Sequence, residues 1–444
     1  MLKFGFARQD ITPERGVPLA GYFEPRPNTG ALDFLYVRAA LFACGDTVTG
    51  IVSFDLLHLP RAVITRITDM LKEAGLGFAD NLLFAATHTH TGPYTNPIFG
   101  GPVDQHYIDL LVERAAAAVR DAYANLAEAE LYAGRSECTT LAFNRRFWMK
   151  NGSVLTNPGK LNPDIVRPEG GIDPEIPFLI VRQAGMDRLI VANIGNHADT
   201  IGGDLVSADW PGRMERAIQE HYGYDIPVIM LLGCQGNINH FNVKSPVNQT
   251  CYAEACRIGK GYAAAVVQML YSAEKIEVDR IQVDAEEFEA PVYHVTDAEY
   301  DEAKKILAES EAVSAASFSD VTSEGLASGN LFVKRFFAKR VLANRDDPLP
   351  GKRIERMISI KFGDAVGIVS LPAEPFMEIG LALKKTSRFP YTMIAALGMG
   401  TVGYVAMPEN YERGGGYETR PARTSPAHDL ALKFISLGTE LLKR

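Results

Sequence analysis

The feature that most constrains this chain is a repeated alternation of short apolar runs with longer amphipathic stretches. The apolar residues 47–57 have the length of a buried strand, and residues 60–75 follow with helical spacing and with Pro60 at the start. The same order recurs at residues 81–88 and 104–126. This alternation favours an α/β fold, in which helices cover a mostly parallel or mixed β-sheet.

Four further apolar runs are predicted to be buried strands, and most of them precede a stretch with helical spacing. They are residues 188–197, 226–237, 365–374 and 392–400. No internal repeat and no clear linker divides the chain, so we predict a single domain over residues 1–444.

Two regions interrupt the alternation. Residues 144–176 are rich in Asn, Pro and Gly, and we predict a long surface or functional loop there. Residues 308–350 are a predicted helical insertion, in which a Ser- and Ala-rich hinge precedes the amphipathic segment LFVKRFFAKRVLANR. We expect that helix to lie on the surface with its Phe and Val side chains on the core, rather than against a membrane or a partner.

The bulk composition excludes several classes of protein. A net charge of −9 and a pI near 5.6 provide no basic surface for a phosphate backbone, so a nucleic acid partner is not expected. No run of about 18 apolar residues predicts a membrane span, and the N-terminus lacks the pattern of a secretory signal. Five cysteines without CxxC spacing are typical of reduced thiols, so we expect a cytoplasmic protein.

Four residues that can bind a metal follow the sharpest apolar runs. His88, His197 and Glu374 stand at the ends of their runs, and Tyr404 follows the last run after a few residues. Ligands of open α/β sheets bind outside the carboxyl ends of the strands, so these residues, although distant in sequence, are predicted to meet. Two imidazoles and a carboxylate can form a Zn²⁺ site with a position open to water, and the phenol could complete it.

The segment LLFAATHTHTGP places two of the nine histidines one residue apart. In an extended chain residues i and i+2 face the same side, so His88 and His90 are predicted to look into the same crevice. One of them could bind the metal, and the other could be a second ligand, a proton donor or an orienting group. Gly92 and Pro93 would then turn the chain.

Several separated segments together resemble the neutral/alkaline ceramidase family, and the resemblance covers nearly the whole chain. The THTHTGP segment is the most specific, whereas the C-terminal segments match more loosely. In chain order the segments are FGFARQDITP…LAGY, VRAALF…GIVSFDLL, ATHTHTGP, FNRR, DPEIPFLIV, NHADTIGG…SADWPG, LLGCQGN, GIVSLPAEPF and VGYVAMPENY…GGYE.

The resemblance implies a fold like that of the ceramidase N-terminal domain, with a bound Zn²⁺ ion at the carboxyl ends of the strands. It implies that His90 lies beside the metal and that Arg145, in FNRR, faces the substrate. The implied metal ligands are His88, His197, Glu374 and Tyr404.

Two of these assignments leave an alternative. The segment GYVAMPENY can be aligned with a shift, so Tyr411 competes with Tyr404 as the tyrosine near the metal. Glu374 could instead cap the helix that is predicted to start at Pro375.

The chain also departs from the family. Ceramidases carry a serine close to the metal, whereas Asn239 and His240 stand here in place of that serine and the following proline. A serine nucleophile is therefore not expected, and both residues become candidates for contacts with the site or the substrate. We expect neither the C-terminal β-domain of the ceramidases nor an apolar entry surface, and therefore a substrate smaller and more polar than ceramide.

We therefore predict a zinc-dependent hydrolase that cleaves a carbon–nitrogen (amide) bond of a small molecule. A water activated by the metal attacks the carbonyl, Arg145 and Tyr404 stabilise the oxyanion, and His90 passes a proton to the leaving nitrogen. Asp199 and Asp209 are expected either to hold imidazole tautomers or to act as loop and helix-capping residues.

Two other functions fit the same residues. The metal cleft could act on an ester or a glycosidic bond, as a hydrolase or a lyase, because a metal and an arginine do not dictate the bond. A non-catalytic binding protein stabilised by structural zinc is the second alternative, since structural sites have four protein ligands. The sequence leaves the oligomeric state and the identity of the substrate open.

Overall fold

A computed structural model describes residues 1–98, 101–310, 331–346, 352–422 and 425–444. Its core contains three large sheets, whose strands we number β1–β14 in chain order. The first sheet has the strand order β4-β3-β2-β1-β5, in which only β3 and β4 are parallel. Its strands are β1 (Lys3–Asp10), β2 (Tyr36–Cys44), β3 (Thr47–Phe54), β4 (Leu82–Ala86) and β5 (Ala127–Glu128).

The second and third sheets repeat this plan, because each ends in one parallel pair. The second has the order β9-β8-β7-β6-β10 with β8 and β9 parallel, and the third has the order β11-β12-β13-β14 with β13 and β14 parallel. Their strands are β6 (Glu130–Glu137), β7 (Glu175–Gln183), β8 (Met186–Ile194), β9 (Val228–Leu232), β10 (Glu274–Ile276), β11 (Ile281–Pro291), β12 (Lys352–Phe362), β13 (Val366–Leu371) and β14 (Tyr391–Ala396).

Helices cover these sheets, which confirms the predicted α/β class with a mixed β-sheet core. The helices α1 and α2 pack on the first sheet, α3 and α4 on the second, and α7 and α9 on the third. The described helices are α1 (Arg61–Glu73), α2 (Gln105–Ala124), α3 (Asp209–Tyr222), α4 (Tyr252–Met269), α5 (Asp297–Glu309), α6 (Leu331–Asp346), α7 (Met377–Thr386), α8 (Pro408–Arg413) and α9 (Leu430–Lys443).

The three sheets meet at their parallel edges through hydrogen bonds made by buried groups. Asn193 in β8 donates from Nδ2 to Leu231 O at 2.9 Å and to Ile394 O at 2.8 Å. It also accepts a hydrogen bond from Ile394 N at 2.9 Å. Met399, which follows β14, donates from its backbone N to Phe84 O of β4 at 2.8 Å. The loops that follow β4, β8 and β13 are therefore brought together.

The prediction of one long loop over residues 144–176 is wrong in part. Three of its segments form a small antiparallel sheet, with Arg146–Met149 between Val154–Thr156 and Ile165–Pro168. Asn151 and Gly152 form the turn of its first hairpin, and Gly152 has a φ of 82°. The Asn and Gly residues of this region thus mark a turn between short strands rather than one continuous loop.

The region predicted as a helical insertion contains α6, which packs on α5. Val333 and Val341 are buried, and the ring of Phe336 lies 4.7 Å from that of Phe23, measured between centroids. The predicted hinge between the helices lies mostly outside the described residues. Among the helices that are described, none is long and apolar enough to cross a bilayer.

We predict that Asn193→Leu destabilises the protein by about 2–4 kcal/mol, because it leaves the backbone N and O of Ile394 buried without partners. The free energy of unfolding would be measured by urea denaturation. The same substitution at the exposed Asn125 is the control, and its effect should stay within about 0.5 kcal/mol. Equal denaturation midpoints for the two variants would contradict the proposed junction between the sheets.

Candidate metal centre

His88 is placed by a left-handed turn of the backbone directly after β4. Its φ is 69°, a conformation that residues other than glycine rarely adopt. Its N–H bonds to Leu56 O at 2.9 Å, and its ring Nδ1 lies 2.7 Å from Leu57 O. The prediction that His88 and His90 face one crevice because the chain is extended is therefore wrong in its reason, since the chain turns at His88.

His90 nevertheless reaches the same place as His88. The two Nε2 atoms lie 3.3 Å apart, with the rings nearly perpendicular. On its other side, His90 Nδ1 lies 3.0 Å from Gly21 O and 3.5 Å from Asp199 Oδ1. Gly21 is pressed against this histidine, because a Cβ atom at position 21 would lie 2.7 Å from His90 Cβ.

His197 enters the site from the loop that follows β8. Its Nδ1 lies 3.0 Å from Gln235 O and 2.9 Å from Ile238 O, both in the loop after β9. Trp210 Nε1 donates a hydrogen bond to the backbone O of His197 at 2.8 Å and so fixes the backbone of this loop. The ring is thus oriented by the segment that follows β9, and its backbone is held by α3.

Glu374 completes a cluster with two of these imidazoles. Its Oε2 lies 3.1 Å from His88 Nε2 and 3.4 Å from His197 Nε2. Burial opposes ionisation of this carboxyl, and a positive charge on His88 or His197 would lower its pKa well below the usual range. Helix α7 has Phe376 at its N-cap and no side-chain capping bond, so the alternative assignment of Glu374 as a helix cap is wrong.

The chemistry of these donors fits a divalent cation. Each Nδ1 faces a backbone carbonyl, which assigns the ring proton to Nδ1 and leaves a lone pair on Nε2. Ligand atoms of His88, His90 and His197 all lie within 4.8 Å of one another, and Glu374 Oε2 is buried without a hydrogen-bond partner. One proton could be shared by only two of these nitrogen and oxygen atoms, whereas a metal ion could accept lone pairs from several of them.

The structure distinguishes the two candidate tyrosines. Tyr404 pairs with Glu374 in a short parallel bridge, and its ring centroid lies 6.5 Å from that of His197. Tyr411 points elsewhere, because its ring stacks on His428 at 4.1 Å and its hydroxyl lies 3.3 Å from the backbone N of Ala406. Tyr404 is therefore the tyrosine beside the cluster.

Arg145 lies beside the cluster with its side chain buried. Its Nη1 is 3.4 Å from His197 Nε2, and its Nη2 donates to Gly236 O at 2.6 Å. The rings of Tyr404 and Tyr417 flank the guanidinium at 5.3 and 5.1 Å. A fixed positive charge thus faces the same space as the imidazoles.

The two candidate aspartates differ in their contacts. Asp199 approaches His90, as described, and accepts a hydrogen bond from Tyr22 Oη at 2.7 Å. Asp209 instead accepts hydrogen bonds from the backbone N atoms of Thr200 and Ile201, at 2.8 and 3.0 Å. Asp209 therefore shapes the loop that carries His197, and its carboxylate binds backbone amides rather than an imidazole.

Asn239 and His240, which the resemblance singled out, are both buried. Asn239 Nδ2 donates to Asn157 Oδ1 at 3.0 Å, and its Oδ1 accepts from Phe241 N at 3.1 Å. His240 donates from Nε2 to Gln249 O at 2.7 Å. In the part of the chain that is described, neither side chain hydrogen-bonds to the histidine cluster.

Three residues near the site were missed by the sequence analysis. Tyr22 holds Asp199, Tyr417 flanks Arg145, and Glu418 Oε1 lies 2.9 Å from Arg145 Nε. All three occur in segments that carry the family resemblance, LAGY and GGYE. That resemblance was the only signal that pointed to them, because none of them ends an apolar run.

Comparisons with known proteins show which proteins this chain resembles. No protein-family model matches the chain. A neutral ceramidase of Pseudomonas aeruginosa PAO1 is 29% identical over 192 residues, which span 40% of this chain and 27% of the relative. The crystal structure of neutral ceramidase from Pseudomonas aeruginosa superimposes with a TM-score of 0.73 over 99% of this chain and 74% of that one. The chain is neutral ceramidase-like.

The likeness in structure extends well beyond the stretch aligned in sequence. The superposed residues are 19% identical. At this level of identity the structural match shows a shared fold and no more. A structure of a ceramidase complexed with C2 gives the same coverage, identity and TM-score. The predicted ceramidase-like fold is therefore confirmed.

We expect Gly21→Ala to reduce the affinity of the cluster for Zn²⁺ about tenfold, because the added methyl group would push the His90 ring against the ligand His88, whose Nε2 lies 3.3 Å from His90 Nε2. Affinity would be measured by competition with a chromogenic chelator. Gly16→Ala is the matched control, since Gly16 has a similar φ of 94° with no atom near an added Cβ, whereas the φ of Gly21 is 105°. An equal loss of affinity in both variants would show that backbone strain, and not the collision, is responsible.

The metal-free protein should lose stability as the pH falls from about 6.5 to about 4. Burial lowers the pKa of His90 to about 4 and that of His197 to about 3. The unfolded chain binds protons on these imidazoles below about pH 6.5, whereas the folded chain does not. Stability should therefore fall by about 1.4 kcal/mol per pH unit for each imidazole.

Urea denaturation of chelator-treated protein at pH 7, 6 and 5 measures this effect. The variant with both His90→Gln and His197→Gln should show a shallower dependence on pH, because it lacks these two titrating rings. An unchanged slope in that variant would refute the assignment.

Proposed function

We propose that this protein is a zinc-dependent hydrolase that cleaves a carbon–nitrogen amide bond in a small molecule more polar than ceramide. One observation carries the proposal: the lone pairs of buried imidazoles and the Glu374 carboxylate converge beside the buried guanidinium of Arg145. The similarity to proteins named neutral ceramidase supports an amide as the substrate, since ceramide is an amide.

The donor set supports Zn²⁺ at this site. Imidazole nitrogen and carboxylate oxygen are common zinc ligands, and His88, His197 and Glu374 would hold the ion with Tyr404 beside them. At such a site Zn²⁺ supplies two effects: it lowers the pKa of water to about 7 and it polarises a carbonyl group.

Arg145 would bind the carbonyl oxygen of the substrate as negative charge develops on it. Its guanidinium is buried, so its field is weakly screened, and a well-placed donor of this kind contributes about 3–4 kcal/mol. Tyr404, whose ring centroid lies 5.3 Å from the Arg145 guanidinium, would help to orient the carbonyl group. The charged and hydroxylated groups around the cluster support a polar substrate.

His90 would pass a proton to the leaving nitrogen. Glu374 Oε2 lies close to His88 and His197, whereas the nearest side-chain atoms to the His90 ring nitrogens belong to His88 and Asp199. Asp199, close to His90 Nδ1 on the opposite side of the ring, would stabilise the imidazolium form during transfer. Asn239 carries an unreactive amide that is hydrogen-bonded to Asn157. This supports water, rather than the side chain at position 239, as the nucleophile.

The proposal predicts different results for the three histidines. His88→Ala and His197→Ala should lose both bound zinc and activity, because each removes a ligand. His90→Ala should retain zinc and lose turnover at least 100-fold, since proton transfer contributes about 10²–10⁴-fold. Zinc content would be measured by atomic emission, with His106→Ala on the exposed face of α2 as the control.

Zinc-loaded protein would be assayed on matched amide, ester and glycoside chromogenic substrates. Hydrolysis of the amide is expected, and exclusive hydrolysis of the ester or the glycoside would replace the proposed bond class. Chelation should abolish turnover and leave the protein folded. Unfolding on chelation, with no turnover on any substrate, would instead support a structural role for the metal.

A further inference from the structure

The three nitrogens of Arg145 each have a distinct neighbour. Nε faces Glu418 Oε1 at 2.9 Å, and Nη2 donates to Gly236 O at 2.6 Å. Nη1 is the nitrogen that turns toward the metal cluster, 3.4 Å from His197 Nε2. An arginine side chain has several rotatable bonds, so this direction requires partners that hold the guanidinium plane.

Glu418 is itself anchored through the oxygen that does not face Arg145. Its side chain is fully buried, and Oε2 accepts hydrogen bonds from Arg146 Nη1 at 3.0 Å and Thr156 Oγ1 at 2.6 Å. Burial opposes its ionisation, but Arg145 and Arg146 lower the pKa of this carboxyl. The carboxylate is therefore charged, and its Oε2 is held by two partners other than Arg145.

We infer that Glu418 is a positioning residue that orients Arg145 Nη1 toward the candidate metal ligands. The inference rests on the proposed function, in which Arg145 binds the carbonyl oxygen of the substrate. Glu418 does not touch the cluster, so it acts through Arg145 alone. Residues that hydrogen-bond to a functional side chain fix its position, and small displacements of such residues weaken ligand binding at the site.

Glu169 provides a matched control within the same network of charges. It accepts hydrogen bonds from Arg146 Nε at 2.5 Å and from Arg413 Nη1 at 2.8 Å. It shares Arg146 with Glu418, and none of its described contacts is with Arg145. A change at Glu169 thus disturbs the network without moving Arg145 directly.

The test measures binding of acetate to protein loaded with Co²⁺, whose visible absorption reports anions at the metal. Glu418→Asp keeps the charge and withdraws the carboxylate by one methylene group. It should weaken acetate binding at least tenfold with the same Co²⁺ stoichiometry, whereas Glu169→Asp should stay within twofold of the original protein. Acetate affinity within twofold for Glu418→Asp would overturn the inference.

A double-mutant cycle tests whether Glu418 acts through Arg145. Arg145→Lys alone should weaken acetate binding, and adding Glu418→Asp to it should cause less than a twofold further loss. Additive losses would overturn the inference. If Glu418→Asp does not fold, Thr156→Val replaces it, with a two- to fivefold loss expected and no change counting against the inference.

The acetate measurement requires no turnover, so it separates the two proposals. Failure of the zinc-loaded protein to hydrolyse an amide would refute the proposed reaction and leave the role of Glu418 standing. Unchanged acetate affinity in the Glu418 variants would refute that role alone.

Discussion

The candidate site depends on hydrogen bonds between imidazole Nδ1 atoms and backbone carbonyl groups. Leu57, Gly21 and Gln235 are among the residues that supply these carbonyls. Each bond fixes the orientation of a ring and its tautomer at once, so each Nε2 lone pair has one direction. The position at which a cation could be held is therefore defined by the backbone of three loops as much as by the histidines themselves.

The arrangement of the sheets explains why those loops meet. Each large sheet ends in a parallel pair of strands. Buried hydrogen bonds made by Asn193 and Met399 join these edges of the three sheets. The chain after β4 carries His88, the chain after β8 carries His197, and the chain after β13 carries Glu374. Polar groups can be concentrated at this junction because β4 and β13 beneath it are entirely buried and, apart from Ser370, apolar.

The α/β class and the residues of the cluster could be predicted because the end of an apolar run is visible in a sequence. The turn at His88 could not, since a His-x-His pattern is equally compatible with an extended chain. The pairing of Arg145 with Glu418 also leaves no trace, because contacts between buried charges follow no sequence period. Residues 144–176 misled the prediction, since a turn of Asn151 and Gly152 inside a small sheet has the composition of a loop.

The spread of the donors along the chain has a consequence for assembly. His88 belongs to the first sheet and Glu374 to the last, so no fragment that lacks the third sheet contains a complete set of ligands. Tight capture of an ion must therefore follow docking of all three sheets during biosynthesis. Any ion held there would bind the native state more tightly than the unfolded chain, so its concentration in the cell would shift the folding equilibrium by mass action.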